Sequence, residues 1–172
     1  MFRKRFFSYL TIISLVCSGV VFDSTVVDAT KVISSDFSIR LGSIDYDTPT
    51  YTYVDSSGKM YVTGAIKGNA DLSGDGDYLD GGESSVGYGN YDAFITNFNA
   101  SGEYLWSERL GSTDVDYPYS VTVDATSDNI IIAGTVGGYD ADLSGDGDYL
   151  DGGEDVSVYT SSDMFISVFS SS

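Results

Sequence analysis

The sequence predicts an all-β protein, and three observations lead to that prediction. Apolar and polar residues alternate with a period of two, as they do around Met60 and Val62, which is the pattern of a strand with one buried face. Clusters of Asp, Asn, Ser and Gly, of which residues 55–58 and 99–102 are the clearest, supply tight turns between the alternating runs. Beyond Phe22, no stretch of 11 residues carries an apolar stripe at helical spacing.

The chain contains two copies of one unit. Three pairs of segments align at an offset of 69 to 71 residues: 41–64 with 110–134, 70–83 with 141–154, and 92–98 with 163–169. The second pair is identical in all its residues. A repeat of this length indicates that one supersecondary unit is used twice.

Each unit contains the strands of a small antiparallel sheet. In the first unit the predicted strands lie near 49–55, 59–66, 92–98 and 103–110, and in the second near 118–124, 129–136 and 163–169. Residues 36–42 align with residues 105–111 and are predicted to be the strand that the second unit lacks. Repeated four-stranded units are typical of propeller blades, so the predicted fold is two propeller-type four-stranded antiparallel blades, an incomplete propeller.

The motifs of these units resemble a known family, the bacterial β-propeller repeat proteins named for a seven-bladed propeller. The residues that carry the resemblance are 54–64, 92–96, 99–106 and 110–111, and it extends over roughly residues 37–169. It implies the blade fold and no common catalytic residues. The chain departs from the family in two ways. Each blade holds an acidic insertion, and two blades are too few for a closed ring of about four to eight.

The first 29 residues have the organisation of a secretory signal peptide. A basic segment at residues 3–5 precedes an apolar run over residues 6–22, and small residues follow at 27–29. This order predicts cleavage after export and a secreted or cell-envelope location. An uncleaved anchor is the alternative, because the apolar run is just long enough for a thin bilayer. A lipoprotein is disfavoured because Val16 precedes Cys17.

The predicted organisation of the chain follows from these boundaries. It consists of a signal peptide (1–29), a lead-in with a blade-completing strand (30–48), a first blade (49–111) and a second blade (112–172). Beyond the signal peptide the chain has no cysteine, so it forms no disulfide within that part.

The charge of the chain excludes several classes of function. Beyond residue 29 there are 5 Lys and Arg against 24 Asp and Glu, a net charge of −19. Nucleic-acid binding needs basic patches, which are absent. The chain has no histidine, so the usual zinc, copper and haem sites and nucleophilic triads are excluded. A paired-carboxylate glycosidase is conceivable, but metal ligation accounts better for the acids, and the sequence predicts no enzyme.

The insertion between the second and third strands of each blade has the pattern of a calcium loop. Oxygen-bearing side chains fall on alternate positions, with glycines that permit tight bends. Calcium takes about six to eight oxygen ligands at about 2.4 Å, so a short loop must curl around it. The candidate ligands are Asn69, Asp71, Ser73, Asp75, Asp77 and Asp80 in the first copy, and Asp140, Asp142, Ser144, Asp146, Asp148 and Asp151 in the second.

Two registers fit an EF-hand-like template. The preferred one starts at Asn69 and Asp140, because it places a carboxylate at the closing position. The other starts at Asp71 and Asp142 and resembles dockerin-type loops, with Glu83 or Glu154 as a closing acid one place late. The alternative to both is a solvated acidic loop without an ion. It is disfavoured because 12 of the 24 acids fall in residues 69–83 and 140–155, where a divalent cation would relieve their repulsion.

The predicted function is a calcium-binding repeat protein with a structural, adhesive or binding role. Its partner is expected to be a protein or glycan at the cell surface, and self-association to complete a propeller is a further expectation. One alternative is a carbohydrate-binding module that uses exposed tyrosines such as Tyr88, Tyr91, Tyr117 and Tyr119. The other is a non-functional fragment of a longer repeat protein.

Overall fold

The structure, a computed structural model, describes residues 37–86, 88–151, 154 and 162–170. All regular structure in these residues is β, in nine strands, which confirms the predicted fold class. Among the same residues there is no helix that could cross a membrane. The predicted signal peptide, residues 1–29, lies outside the described residues.

The strands form three antiparallel sheets. They are β1 (Gly42–Ser43), β2 (Thr48–Val54), β3 (Met60–Ile66), β4 (Ala70–Asp71), β5 (Asp92–Phe98), β6 (Tyr104–Leu110), β7 (Tyr117–Val123), β8 (Ile130–Val136) and β9 (Asp163–Phe169). The first blade has the order β2-β3-β5-β6, the second β7-β8-β9, and β1 pairs with β4. Each of the seven predicted blade strands agrees with the structure to within one residue at either end.

Asx turns join the strands as the sequence predicts. Asp55 Oδ1 accepts hydrogen bonds from the backbone N–H groups of Ser57 and Lys59, at 2.8 and 2.9 Å, between β2 and β3. Asn99 Oδ1 does the same for Ser101 and Glu103 between β5 and β6. These side chains fold the backbone locally and hold neighbouring strands in antiparallel register.

The main core lies between the two blades. Tyr61 and Ile95 on one face of the first blade pack with Val121, Ile132 and Phe165 of the second, and all five are buried. Trp106 packs against this core and is half-buried, with its ring 6.4 Å from that of Phe169. A blade buries its faces against its neighbours, so each blade here has one face covered by the other.

The predicted strand over residues 36–42 does not complete the second blade within the chain. Residues 37–41 form no strand, and Gly42–Ser43 pairs with β4 of the first blade's loop. Among the described residues, β9 pairs only with β8. A strand forms only where a partner edge lies alongside it, and residues 37–42 lie beside the first blade rather than beside β9.

Candidate functional site

Both acidic loops fold around their first aspartate in the same way. Asp71 accepts hydrogen bonds from the N–H groups of Gly74 (2.5 Å, to Oδ1) and Gly76 (2.9 Å, to Oδ2). In the second loop Asp142 accepts from Gly145 and Gly147 at 2.6 and 2.8 Å. Gly76 has a φ of 95°, a conformation that only glycine adopts without strain.

The later aspartates of each loop continue the turn. Asp75 Oδ1 accepts from the N–H of Asp77 at 3.0 Å, and Asp77 Oδ1 accepts from the N–H of Leu79 at 2.9 Å. The same bonds recur in the second loop at Asp146 and Asp148. All four of these aspartates are exposed, so they line the rim of their loops.

A buried glutamate closes each loop, at the position that the register starting at Asp71 and Asp142 gives to its closing acid, but it does so through bonds to the backbone. Glu83 is fully buried, and its Oε1 accepts from the N–H groups of Leu72 and Ser73 at 2.8 and 3.0 Å. Its Oε2 accepts from the N–H of Asp80 at 2.9 Å. Glu154 makes the equivalent bonds in the second loop. A glutamate stands at the same position in both copies of the repeat, which the sequence shows, but only the tertiary packing shows that its side chain faces inward.

The structure does not draw all the predicted ligands together. Asn69 is exposed, and its Oδ1 accepts from the backbone N–H and the hydroxyl of Ser85, both at 2.9 Å, outside the turn around Asp71. Ser73 lies inside the turn, with its hydroxyl 3.4 Å from Asp71 Oδ1. In the part of the chain that the structure describes, no three Asp, Glu, His or Cys side chains converge closely enough to hold a metal ion.

Negative charge is concentrated in the second loop. The pKa of the exposed Asp151 carboxyl is raised, chiefly by the charge of Asp146 and then by that of Glu154. Asp140 is also exposed beside this loop. Repulsion among these carboxylates favours the binding of a cation, because a bound cation would reduce the repulsion.

The first blade covers the second loop. Asp142 is 1% exposed, and Tyr88 of the first blade donates its hydroxyl to Asp142 Oδ2 at 2.6 Å. Burial, followed by this hydrogen bond, raises the pKa of the Tyr88 phenol far above its usual value. Glu108 of β6 lies against Gly145. The second loop is therefore part of the junction between the blades.

Glu108→Gln should flatten the pH dependence of stability. Burial, with the nearby charge of Asp142 as the second cause, raises the pKa of Glu108 from 4.5 to about 7. The folded protein keeps this proton at pH values where the unfolded chain releases it. The stabilisation that the folded state gains from protonated Glu108 is therefore complete below pH 4.5 and is lost as the pH rises through about 7. We expect the melting temperature in chelator to fall from about pH 5 to 8, and to fall less in the variant.

Glu103→Gln is the matched control, because Glu103 is exposed one residue before β6. It should leave the pH dependence of the melting temperature unchanged. Equal slopes for Glu108→Gln and the unsubstituted protein would contradict the assignment of this titration to Glu108.

A buried ion pair anchors the first loop to the first blade. Arg109 and Asp92 are both fully buried, with Nη1 and Oδ2 3.1 Å apart. Arg109 also donates to the backbone carbonyls of Gly68, Gly82 and Glu83, which lie on both sides of the loop. Burial raises the pKa of Asp92, although Arg109 opposes this rise. The sequence analysis did not find this pair, although Arg109 aligns with Arg40 across the repeat.

Most of the tyrosines proposed for sugar binding are not free surface platforms. Tyr88 is half-buried, and the guanidinium carbon of Arg109 lies over the tyrosine ring, 5.6 Å from the ring centroid. Tyr91 and Tyr117 are half-buried, and their rings stack at 6.4 Å. Of the four, Tyr119 is exposed, at 60%. The expectation of four exposed tyrosines was wrong because three of them pack at the junction of the blades.

The chain is similar to an uncharacterized WD repeat-containing protein of Acanthamoeba polyphaga mimivirus, with 24% identity over 127 residues. The alignment covers 66% of this chain and 9% of the viral protein, so the chain matches a small part of that protein's length. WD repeats form four-stranded propeller blades. The likeness is to propeller-type repeats. No protein-family model matches the chain. No solved structure matches it.

Proposed function

We propose that this protein is an exported, repeat-built binding or scaffold module in which each blade carries one calcium loop. The observation that carries the proposal is the duplicated turn around Asp71 and Asp142, each with a left-handed glycine five residues on. An EF-hand loop needs such a glycine at its sixth position for the sharp turn. The two loops have the same sequence and the same geometry although their surroundings differ, so the turn is encoded in the loop itself.

The register that starts at Asp71 and Asp142 fits this geometry better than the one that starts at Asn69 and Asp140. Asp71 is the centre of the turn, whereas Asn69 bonds Ser85 outside it. In this register the first, third and fifth positions are Asp71, Ser73 and Asp75. Asp77 follows at the seventh position, where an EF-hand loop contributes a backbone carbonyl.

Calcium binding would require the carboxylates at the rim of each loop to turn inward. Asp75 and Asp77 are exposed, and among the described residues their carboxylates bond only to amides within their own turn, so a rotation of each side chain costs little packing. Glu83 is held by three backbone N–H groups and would support the loop from behind. Export would supply calcium at the high concentrations that weak extracellular sites use.

A binding or scaffold role is favoured over catalysis. The chain has no histidine, and the likeness to a WD repeat protein points to repeats that present surfaces. A protein partner is favoured over a glycan, because three of the four candidate tyrosines are packed between the blades. Tyr46, Tyr51, Tyr78 and Tyr139 are exposed besides Tyr119, so a glycan is the second candidate partner.

Calcium should stabilise the protein, and the loops should account for the effect. Each site should add about 2.7 kcal/mol to the free energy of unfolding at a hundredfold excess over its dissociation constant. Calorimetry should count two sites in the unsubstituted protein. Asp71→Asn with Asp75→Asn should remove one, and Asp142→Asn with Asp146→Asn the other. Asparagine removes the charge of the ligand and keeps one acceptor oxygen, but at Asp71 and Asp142 it loses the second acceptor of the turn, so near-ultraviolet circular dichroism must show that each variant is folded.

Asp114→Asn is the control, because Asp114 is an exposed acid outside both loops. It should leave both sites intact. A melting temperature that is equal in millimolar calcium and in chelator would refute calcium binding. Two remaining sites in the fourfold variant would place the ions elsewhere.

A further inference from the structure

The junction between the two blades uses one face of the first blade. Three residues of β5 lie on this face. Ala93 and Ile95 are 0% exposed and Asn97 is 1% exposed, because the second blade covers them. The repeat places Met164, Ile166 and Val168 at these positions in β9 of the second blade. They are 89%, 72% and 58% exposed. The second blade therefore presents an uncovered apolar copy of the face that its neighbour buries.

The outer edge of β9 is the second feature of this surface. In the first blade, β6 pairs with β5 at the equivalent edge. Beside β9 there is instead an open groove of about 530 Å³, lined by Val136, Leu143, Glu154 and β9 itself. Exposed strand edges and apolar faces are features that proteins normally cover.

Residues 37–42 have the position of a fourth strand relative to the blade that follows them. Ile39 lies against Gly74 of the first loop, as Glu108 of β6 lies against Gly145 of the second. Gly42 pairs with Asp71, as Gly111 bridges to Asp142. Residues 37–42 therefore occupy the same position relative to the first blade as the end of β6 occupies relative to the second blade.

The charges match the same assignment. In the first blade Arg109 stands opposite Phe94 in the β5–β6 pairing and forms its ion pair with Asp92. The repeat places Arg40 at the position of Arg109, and Asp163 at that of Asp92. Arg40 is exposed, and neither it nor Asp163 is in an ion pair among the described residues. A basic residue on the segment therefore matches an acidic residue at the vacant edge.

We propose that the chain associates with itself head to tail, with residues 37–42 of one copy adding to β9 of the next as its fourth strand. Arg40 then pairs with Asp163, and the first blade of one copy packs on the exposed apolar face of the other. Strand addition supplies main-chain hydrogen bonds. Because the contact joins two different surfaces, it repeats until a ring closes. The association does not depend on calcium binding to the loops.

A charge exchange tests the pairing of Arg40 with Asp163. Protein expressed from the full sequence in a secreting bacterium should contain two or more copies by light scattering. Arg40→Asp and Asp163→Arg should each raise the dissociation constant at least about thirtyfold, because each places like charges at the junction. The double variant Arg40→Asp with Asp163→Arg should regain the assembly, since every junction then joins opposite charges. Near-ultraviolet circular dichroism checks that each variant is folded.

A second pair of variants tests the apolar face. Ile166→Lys should dissociate the assembly. Leu79→Lys should not, because its counterpart Leu150 stays 83% exposed at the junction of the two blades. A monodisperse monomer of the unsubstituted protein would overturn the proposal, and so would a double charge variant that stays monomeric. An assembly that survives Ile166→Lys would overturn the packing of the two faces.

Discussion

Arg109→Met should lower the free energy of unfolding by about 3–5 kcal/mol, because it leaves a buried carboxylate without its partner. Burial already raises the pKa of Asp92, and without the opposing charge of Arg109 this pKa would rise further, so folding would require the carboxyl to be protonated and unpaired in a site with no exposure to water. The carbonyls of Gly68, Gly82 and Glu83 would also lose their donor. Urea unfolding monitored by tryptophan fluorescence measures the loss, since Trp106 lies on the same strand.

Arg40→Met is the matched control, measured in dilute protein where copies are separate. Arg40 aligns with Arg109 but is exposed, so its loss should change stability by less than about 0.5 kcal/mol. Adding Asp92→Asn to Arg109→Met should recover part of the loss, because it removes a carboxyl that must otherwise take up a proton when the chain folds. A loss of under about 1 kcal/mol for Arg109→Met would show that the ion pair contributes little to the blade.

Glu83→Ala should have the second largest effect, because three backbone N–H groups would lose their acceptor. Leu72 and Ser73 are buried, so their amides have the carboxylate rather than bulk solvent as their acceptor. Each unsatisfied buried donor costs about 1–3 kcal/mol, which predicts a total loss of about 3 kcal/mol or more. Hydrogen exchange at the Leu72 and Ser73 amides should accelerate together with the drop in unfolding free energy.

Asp77→Ala provides the comparison within the same loop. Asp77 is exposed and accepts one hydrogen bond, from the N–H of Leu79, so its loss should cost about 1 kcal/mol or less. Glu154→Ala should reproduce the larger effect in the second loop, where the same three bonds are made. If Glu83→Ala costs no more than Asp77→Ala, the buried glutamate is not what holds the loop closed.

The sequence by itself determined the strands, the turns and the duplication. Period-two alternation is local, because a strand with one buried face shows its pattern within a few residues. The turn chemistry of Asp55 and Asn99 is equally local, since each side chain bonds its own backbone two to four residues on. These features placed the seven blade strands to within one residue, and the structure confirms the all-β fold class in the residues that it describes.

Only the tertiary structure decided which of two identical loops is covered and which charged residues are buried. Asp71 and Asp142 have the same neighbours in sequence, yet Asp142 is buried because Tyr88 and β6 of the preceding blade pack over it. Arg40 and Arg109 align, yet Arg109 alone faces a buried carboxylate. Burial and ion pairing depend on residues that are distant in the chain, and an internal repeat reports what two segments share but not what packs against each of them.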